Sequence, residues 1–205
     1  MNRPRFLSAL VFGAMAASLP LVASTGSMAQ LLVADGHLPA TKPGTMVVEG
    51  ESQDITLQLF SQPGVPLVTY YPDSLIAESI CSGEGCGVWF YPQATYEAEV
   101  HYFLPSGDPS IDDIDQAVTG DNGWLASNGW IASGEYTDPS YLAYPWAQKV
   151  ILFQGATAPV TGAIYIGEEN GVAFRATVMF ALEAGDGFAP IADMILSNTQ
   201  IESAP

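Results

Sequence analysis

Four aspartates fall within a short stretch, Asp108, Asp112, Asp113 and Asp115, and carboxylates at that density are the raw material of a calcium site. Their spacing lacks the alternating ligands and central glycine of a calcium loop. Ser110 followed by Asp113 instead has the spacing of a helix capping box, so the same acids suit a helix N-terminus, where the macrodipole favours negative charge. The four remain weak metal candidates. Glu168 and Glu169 form an adjacent acid pair, but in G-E-E-N-G they belong at a solvated hairpin tip, and a working carboxylate needs a cleft to shift its pKa. His101 is one of two histidines, with His37. As a general base it would need a nucleophile and an orienting carboxylate, and no spacing in the chain supplies them. It is expected as a half-exposed histidine on the polar face of a strand. No G-x-S-x-G, P-loop, H-E-x-x-H or dinucleotide glycine pattern occurs. No catalytic, cofactor-binding or metal-binding residue is therefore assigned.

Cys81 and Cys86 are the only cysteines, in C-S-G-E-G-C. In an exported chain this short glycine-containing spacer predicts a hairpin tip closed by a disulfide. Aromatics are dense, and the run Y-T-D-P-S-Y-L-A-Y-P-W reads as a loop carrying Tyr136, Tyr141, Tyr144 and Trp146. Exposed beside acids, these four would make a docking patch for a protein or a glycan. Buried, they would be ordinary core.

The first residues carry no such chemistry. Arg3 and Arg5 precede an apolar run from Phe6 to Val22, and Ser27-Met28-Ala29 offers small residues for a signal peptidase. This predicts an export signal over 1–29, cleaved between Ala29 and Gln30, and a mature chain with no integral membrane segment. The full chain has 5 Lys+Arg against 22 Asp+Glu. Loss of Arg3 and Arg5 leaves Lys42, Lys149 and Arg175, and a net charge of −19. Such a surface repels phosphate backbones, which excludes nucleic acid as a partner. It suits a cationic partner or divalent ions, or simply keeps the chain hydrated.

Positioning elements follow from periodicity. Residues 30–52 hold Gly36, Pro39, Pro43 and Gly44 and read as a flexible segment. Alternation in Ile55–Leu59, Leu67–Tyr71 and Glu97–Leu104 predicts half-buried strands, and Leu75–Ile80 with Val88–Tyr91 predicts a hairpin around the cysteines. Ile111, Ile114 and Val118 recur at helical spacing, ended by Gly120, with Trp124 and Leu125 adding a turn. Further strands are expected at Trp130–Tyr136, Lys149–Phe153, Ala163–Ile166 and Val172–Ala181, and a last helix after Asp186 with Ile191, Met194 and Ile195 inward. The order predicts an α+β domain over 53–200, mainly one antiparallel sheet of about seven or eight strands covered by two helices, with a tail at 201–205.

The segments V-P-L-V-T-Y-Y-P-D-S-L-I-A-E (Val65 to Glu78), Y-P-W-A (Tyr144 to Ala147), G-A-I-Y-I-G-E-E-N-G (Gly162 to Gly171) and A-L-E-A-G-D-G-F-A-P-I-A-D-M-I-L (Ala181 to Leu196) resemble exported cyanobacterial proteins of unassigned function. The strand and helix order resembles the Mog1/PsbP fold, which includes extrinsic photosystem II proteins of the thylakoid lumen. That resemblance implies a non-enzymatic accessory protein of the periplasm or thylakoid lumen, docking to a protein partner such as a membrane complex. The lipid-anchoring cysteine usual after the signal in cyanobacterial PsbP relatives is missing. Alternatives are an envelope hydrolase with a carboxylate site, and a calcium-responsive structural protein.

Overall fold

A computed structural model describes residues 38–48, 50–93 and 98–202. The expected signal over 1–29, its cleavage at Ala29 and Gln30, and residues 203–205 lie outside the described residues.

Two antiparallel sheets contain eleven strands among the described residues, in place of the expected single sheet of seven or eight. The smaller sheet has the order β1 (Thr41–Val48), β2 (Glu51–Ser61), β3 (Leu67–Pro72) and β11 (Gln200–Ile201). The larger runs β4 (Leu75–Ser82), β5 (Gly85–Pro92), β6 (Ala98–Pro105), β10 (Val172–Ala181), β9 (Val160–Glu169), β8 (Ala147–Gly155) and β7 (Trp130–Tyr136). Three helices accompany them: α1 (Ile111–Thr119), a single turn α2 (Trp124–Ser127), and α3 (Gly185–Ser197). Asp186 lies in the first turn of α3 rather than at its cap, which is Ala184.

Two corrections concern the ends of the domain. The segment expected to be flexible carries β1, paired with β2 from Thr41↔Gln58 to Val48↔Glu51. Pro43 and Gly44 misled because β1 lies at a sheet edge, where proline's missing N–H costs nothing. A Cβ at Gly44 would press on the end of the Leu57 side chain. At the other end Ile201, expected in the tail, is buried and paired with Leu67. Its N–H donates to Glu169 Oε2 at 2.9 Å, while Asn170 Nδ2 donates to its carbonyl at 2.7 Å. Glu169 is thus a latch for the last strand.

The two faces of the larger sheet bury different cores. One face packs on the smaller sheet and α3 through Leu67, Phe90, Tyr102, Phe174 and Ile195. The other packs under α1 and α2 through Ile114, Val118, Leu125, Phe153 and Ile164. Strand alternation assigns each side chain to a face: Ala98, Val100, Tyr102 and Leu104 of β6 enter the first core, leaving Glu99, His101 and Phe103 on the helix side.

The β4–β5 hairpin is closed by a disulfide between Cys81 and Cys86, which are cross-strand partners. It ties off a short loop, so its main effect is on the entropy of the unfolded chain. Replacing both cysteines by serine should lower stability by about 2 kcal/mol, read as a shift of the urea midpoint at unchanged slope.

Candidate binding groove

Helix α1 begins as the sequence predicts. Ser110 Oγ accepts from Asp113 N at 3.2 Å, and Asp113 Oδ2 accepts from Ser110 N at 2.9 Å. The Ser110 hydroxyl also donates to Asp113 Oδ2 at 2.6 Å, and this bond, with that from the Ser110 backbone N–H, holds the Asp113 carboxyl below its usual range. Asp115, two residues on, is taken by Lys149, whose Nζ lies 2.7 Å from Oδ1 and 3.0 Å from Glu135 Oε2. Lys149 thereby clamps α1 to β7 and β8. The acid cluster is therefore divided: Asp113 caps, Asp115 pairs, and Asp108 and Asp112 face solvent. Among the described residues no three His, Cys, Asp or Glu side chains converge to hold a metal ion.

The aromatic run also divides. Tyr136 and Tyr141 are exposed and their rings lie 5.0 Å apart. Tyr144 and Trp146 are buried, at 6 % and 5 % exposure, which removes them from the candidate docking patch and leaves them to the core. After the turn Pro139–Tyr141 the chain dives under α3. There Tyr144 donates to Asp193 at 3.0 Å, and the Trp146 indole donates to the Leu196 carbonyl at 3.3 Å.

What the fold does assemble is a groove of ≈ 530 Å³ between α1 and the β4–β5–β6–β10 end of the larger sheet. Its floor is a row of cross-strand neighbours. Trp89 of β5 pairs with His101 of β6, which pairs with Thr177 of β10. One step along, Gly87 pairs with Phe103 and Phe103 with Arg175. The missing side chain at Gly87 makes room for the Trp89 indole, which a Cβ there would strike.

His101 is only 4 % exposed, which corrects the half-exposed expectation. Trp89 stacks on it at 4.5 Å between ring centroids and 7° between planes, and Trp124 of α2 lies 5.6 Å away on a tilt. Neither imidazole nitrogen has a hydrogen-bond partner among the described residues. Burial, reinforced by the nearby Arg175 charge, pushes the His101 pKa down to about 3, so the ring is neutral at any physiological pH.

Arg175 is 7 % exposed and lies with its guanidinium 4.0 Å from the Trp124 ring centroid and 5.3 Å from that of Phe103. Its one hydrogen bond among the described residues runs from Nη1 to Thr177 Oγ1 at 3.1 Å. Burial lowers its pKa to about 10, and it stays charged at neutral pH. The Glu99 carboxyl on the same face is raised by burial and lowered in part by Arg175. No ion pair joins the two among the described residues. Among the described residues the Trp124 indole N–H is likewise buried without a partner. Polar groups in this state each cost about 1–3 kcal/mol of desolvation.

The sequence showed fragments of this site. Alternation put His101 on the polar face of its strand, and Trp89 and Trp124 stood among the dense aromatics. The overlooked signal was Arg175, a lone cation inside the apolar strand V-A-F-R-A-T-V-M-F-A. A buried strand admits an arginine only where something inside receives it.

A search of the solved structures returned the solution structure of cyanobacterial PsbP (CyanoP) from Synechocystis sp. PCC 6803, with 14% sequence identity, a TM-score of 0.48, and coverage of 71% of this chain and 92% of that one. The chain is similar to cyanobacterial PsbP. No family model matches the chain, and no curated protein matches it. Among the described residues no helix is long and apolar enough to cross a membrane.

Proposed function

We propose that this chain is an exported, non-enzymatic binding module of the periplasm or thylakoid lumen that takes a segment of a protein partner into the groove. One observation carries the reading: His101 and Arg175 are buried with their hydrogen-bonding capacity largely unspent, and they line an open groove walled by Trp89, Phe103 and Trp124. An apolar cleft with a few convergent polar groups is the usual form of a binding site. Ile80, 67 % exposed at the rim, extends its apolar surface outward.

Catalysis fits the same residues poorly. A general base works best with a pKa near the operating pH, and His101 is held at about 3 with no hydrogen-bonded nucleophile or carboxylate among the described residues.

Ala117 on the exposed side of α1 lines the groove and, among the described residues, makes no side-chain hydrogen bond or ring contact with its floor. Ala117→Trp should fill the groove while leaving the fold intact. A partner recovered with the tagged mature protein from its native envelope should be lost with this variant, at an unchanged melting temperature. Equal recovery by both proteins would remove the groove from the docking reaction.

A further inference from the structure

The groove's unspent groups are mostly donors. A guanidinium carries five N–H bonds in a planar fork, and among the described residues Arg175 commits one hydrogen bond, to Thr177 Oγ1. The Trp124 indole can only donate. A neutral His101 offers one donor and one acceptor, both unused among the described residues. The complementary ligand brings acceptors, and a planar carboxylate matches the arginine fork in both shape and charge. A dianion is disfavoured by Glu99 beside Arg175 and by the chain's formal charge of −17.

Depth and rim charge select among carboxylates. Arg175 lies at the floor, and the groove's volume suits one or two residues, not a chain passing through in both directions. The rim carries Glu84 and Asp113, which repel a small free acid on its way in. A polypeptide end with lysine or arginine a few residues upstream turns that repulsion into attraction.

Resting on the groove reading above, we propose that the segment received is the C-terminal end of a partner polypeptide. Its terminal carboxylate lies on the Arg175 guanidinium, which stacks on the Trp124 ring. Its last side chain, apolar, packs on Phe103 and Ile114, and basic residues upstream face Glu84 and Asp113. Arrival of the carboxylate supplies acceptors for guanidinium N–H groups beyond the one that Thr177 receives.

The test titrates the mature protein, followed by tryptophan fluorescence and calorimetry, with the peptide Ala-Lys-Ala-Lys-Ala-Leu-Phe as its free acid, the same peptide amidated, and 3-phenylpropionate. The free-acid peptide should bind at least roughly tenfold more tightly than the amide, the loss expected when a charge-assisted pair is removed. It should also bind roughly tenfold more tightly than 3-phenylpropionate, which lacks the basic residues. Arg175→Gln should erase the acid–amide difference. The comparison on the unaltered protein does not depend on that variant folding. Equal binding of acid and amide, or no binding of either, overturns the chain-end assignment. So does 3-phenylpropionate binding as tightly as the peptide, which would make the occupant a free acid. If the assignment fails while Ala117→Trp still abolishes partner recovery, the groove reading stands. If Ala117→Trp leaves recovery intact, the groove reading itself fails.

Discussion

Trp146→Ala should lower the stability of this protein by about 3–5 kcal/mol, the range for removing a large aromatic from a core. Trp146 packs against Phe174 at 4.8 Å, against Tyr144 at 5.4 Å, and against Tyr165 at 6.2 Å between ring centroids. Its indole also ties the end of α3 to the start of β8 through the Leu196 carbonyl. Little room for collapse exists, because the neighbouring Phe174 and Leu196 are themselves almost wholly buried. Chemical denaturation reads the loss directly. A cost under about 1 kcal/mol would mean that Trp146 sits on a surface, the exposed alternative for the aromatic loop. Tyr141→Ala serves as the contrast, since Tyr141 is 63 % exposed and its removal should change stability by no more than about 0.5 kcal/mol.

Acid should unfold the protein by way of His101. Its folded pKa is about 3 against an ordinary value of 6.5, so the unfolded chain binds the proton more readily than the folded one. The contribution is complete above pH 6.5 and is lost as the pH falls from there toward 3. Between pH 7.5 and 5 the loss from this group is roughly 2 kcal/mol. Glu99 acts in the opposite sense, because its carboxyl is raised in the folded state and binds a proton more readily there. Arg175 stays charged throughout this range. His101→Phe keeps a flat ring between Trp89 and Trp124 and removes the titration. The stability difference between the unaltered protein and this variant should therefore grow by roughly 2 kcal/mol over that pH interval, against the unaltered protein. A difference that does not move with pH would show that His101 is solvated and unperturbed.

Local signals carried most of the elements. Glu97–Leu104 alternates so regularly that the strand β6 was legible, and the Asn170-Gly171 turn placed the β9–β10 hairpin. The capping box at Ser110 was equally direct. What failed depended on pairing between distant segments. Nothing local in T-K-P-G-T-M-V-V says that β2 will continue far enough to receive it, and β1 exists only because it does. Ile201 is a strand residue only because Leu67 and Glu169 wait for it. The candidate site was the least legible part. Its four floor residues come from β5, β6 and β10, and only the sheet register brings Trp89, His101, Phe103 and Arg175 side by side. Burial then inverted the expected character of His101, since a polar residue on a polar face becomes an interior one when two indoles close over it.

The placement of the cations has a colloidal consequence. Lys149 is engaged by Asp115 and Glu135, and Arg175 is sunk beneath Trp124. Lys42 lies 3.9 Å over the Tyr70 ring and donates to Asn198. Every positive side chain of the described body is thus drawn inward, while most of its carboxylates point to water. Copies of the molecule should hold one another apart in a crowded compartment behind a dense counterion cloud, at spacings set by the Debye length.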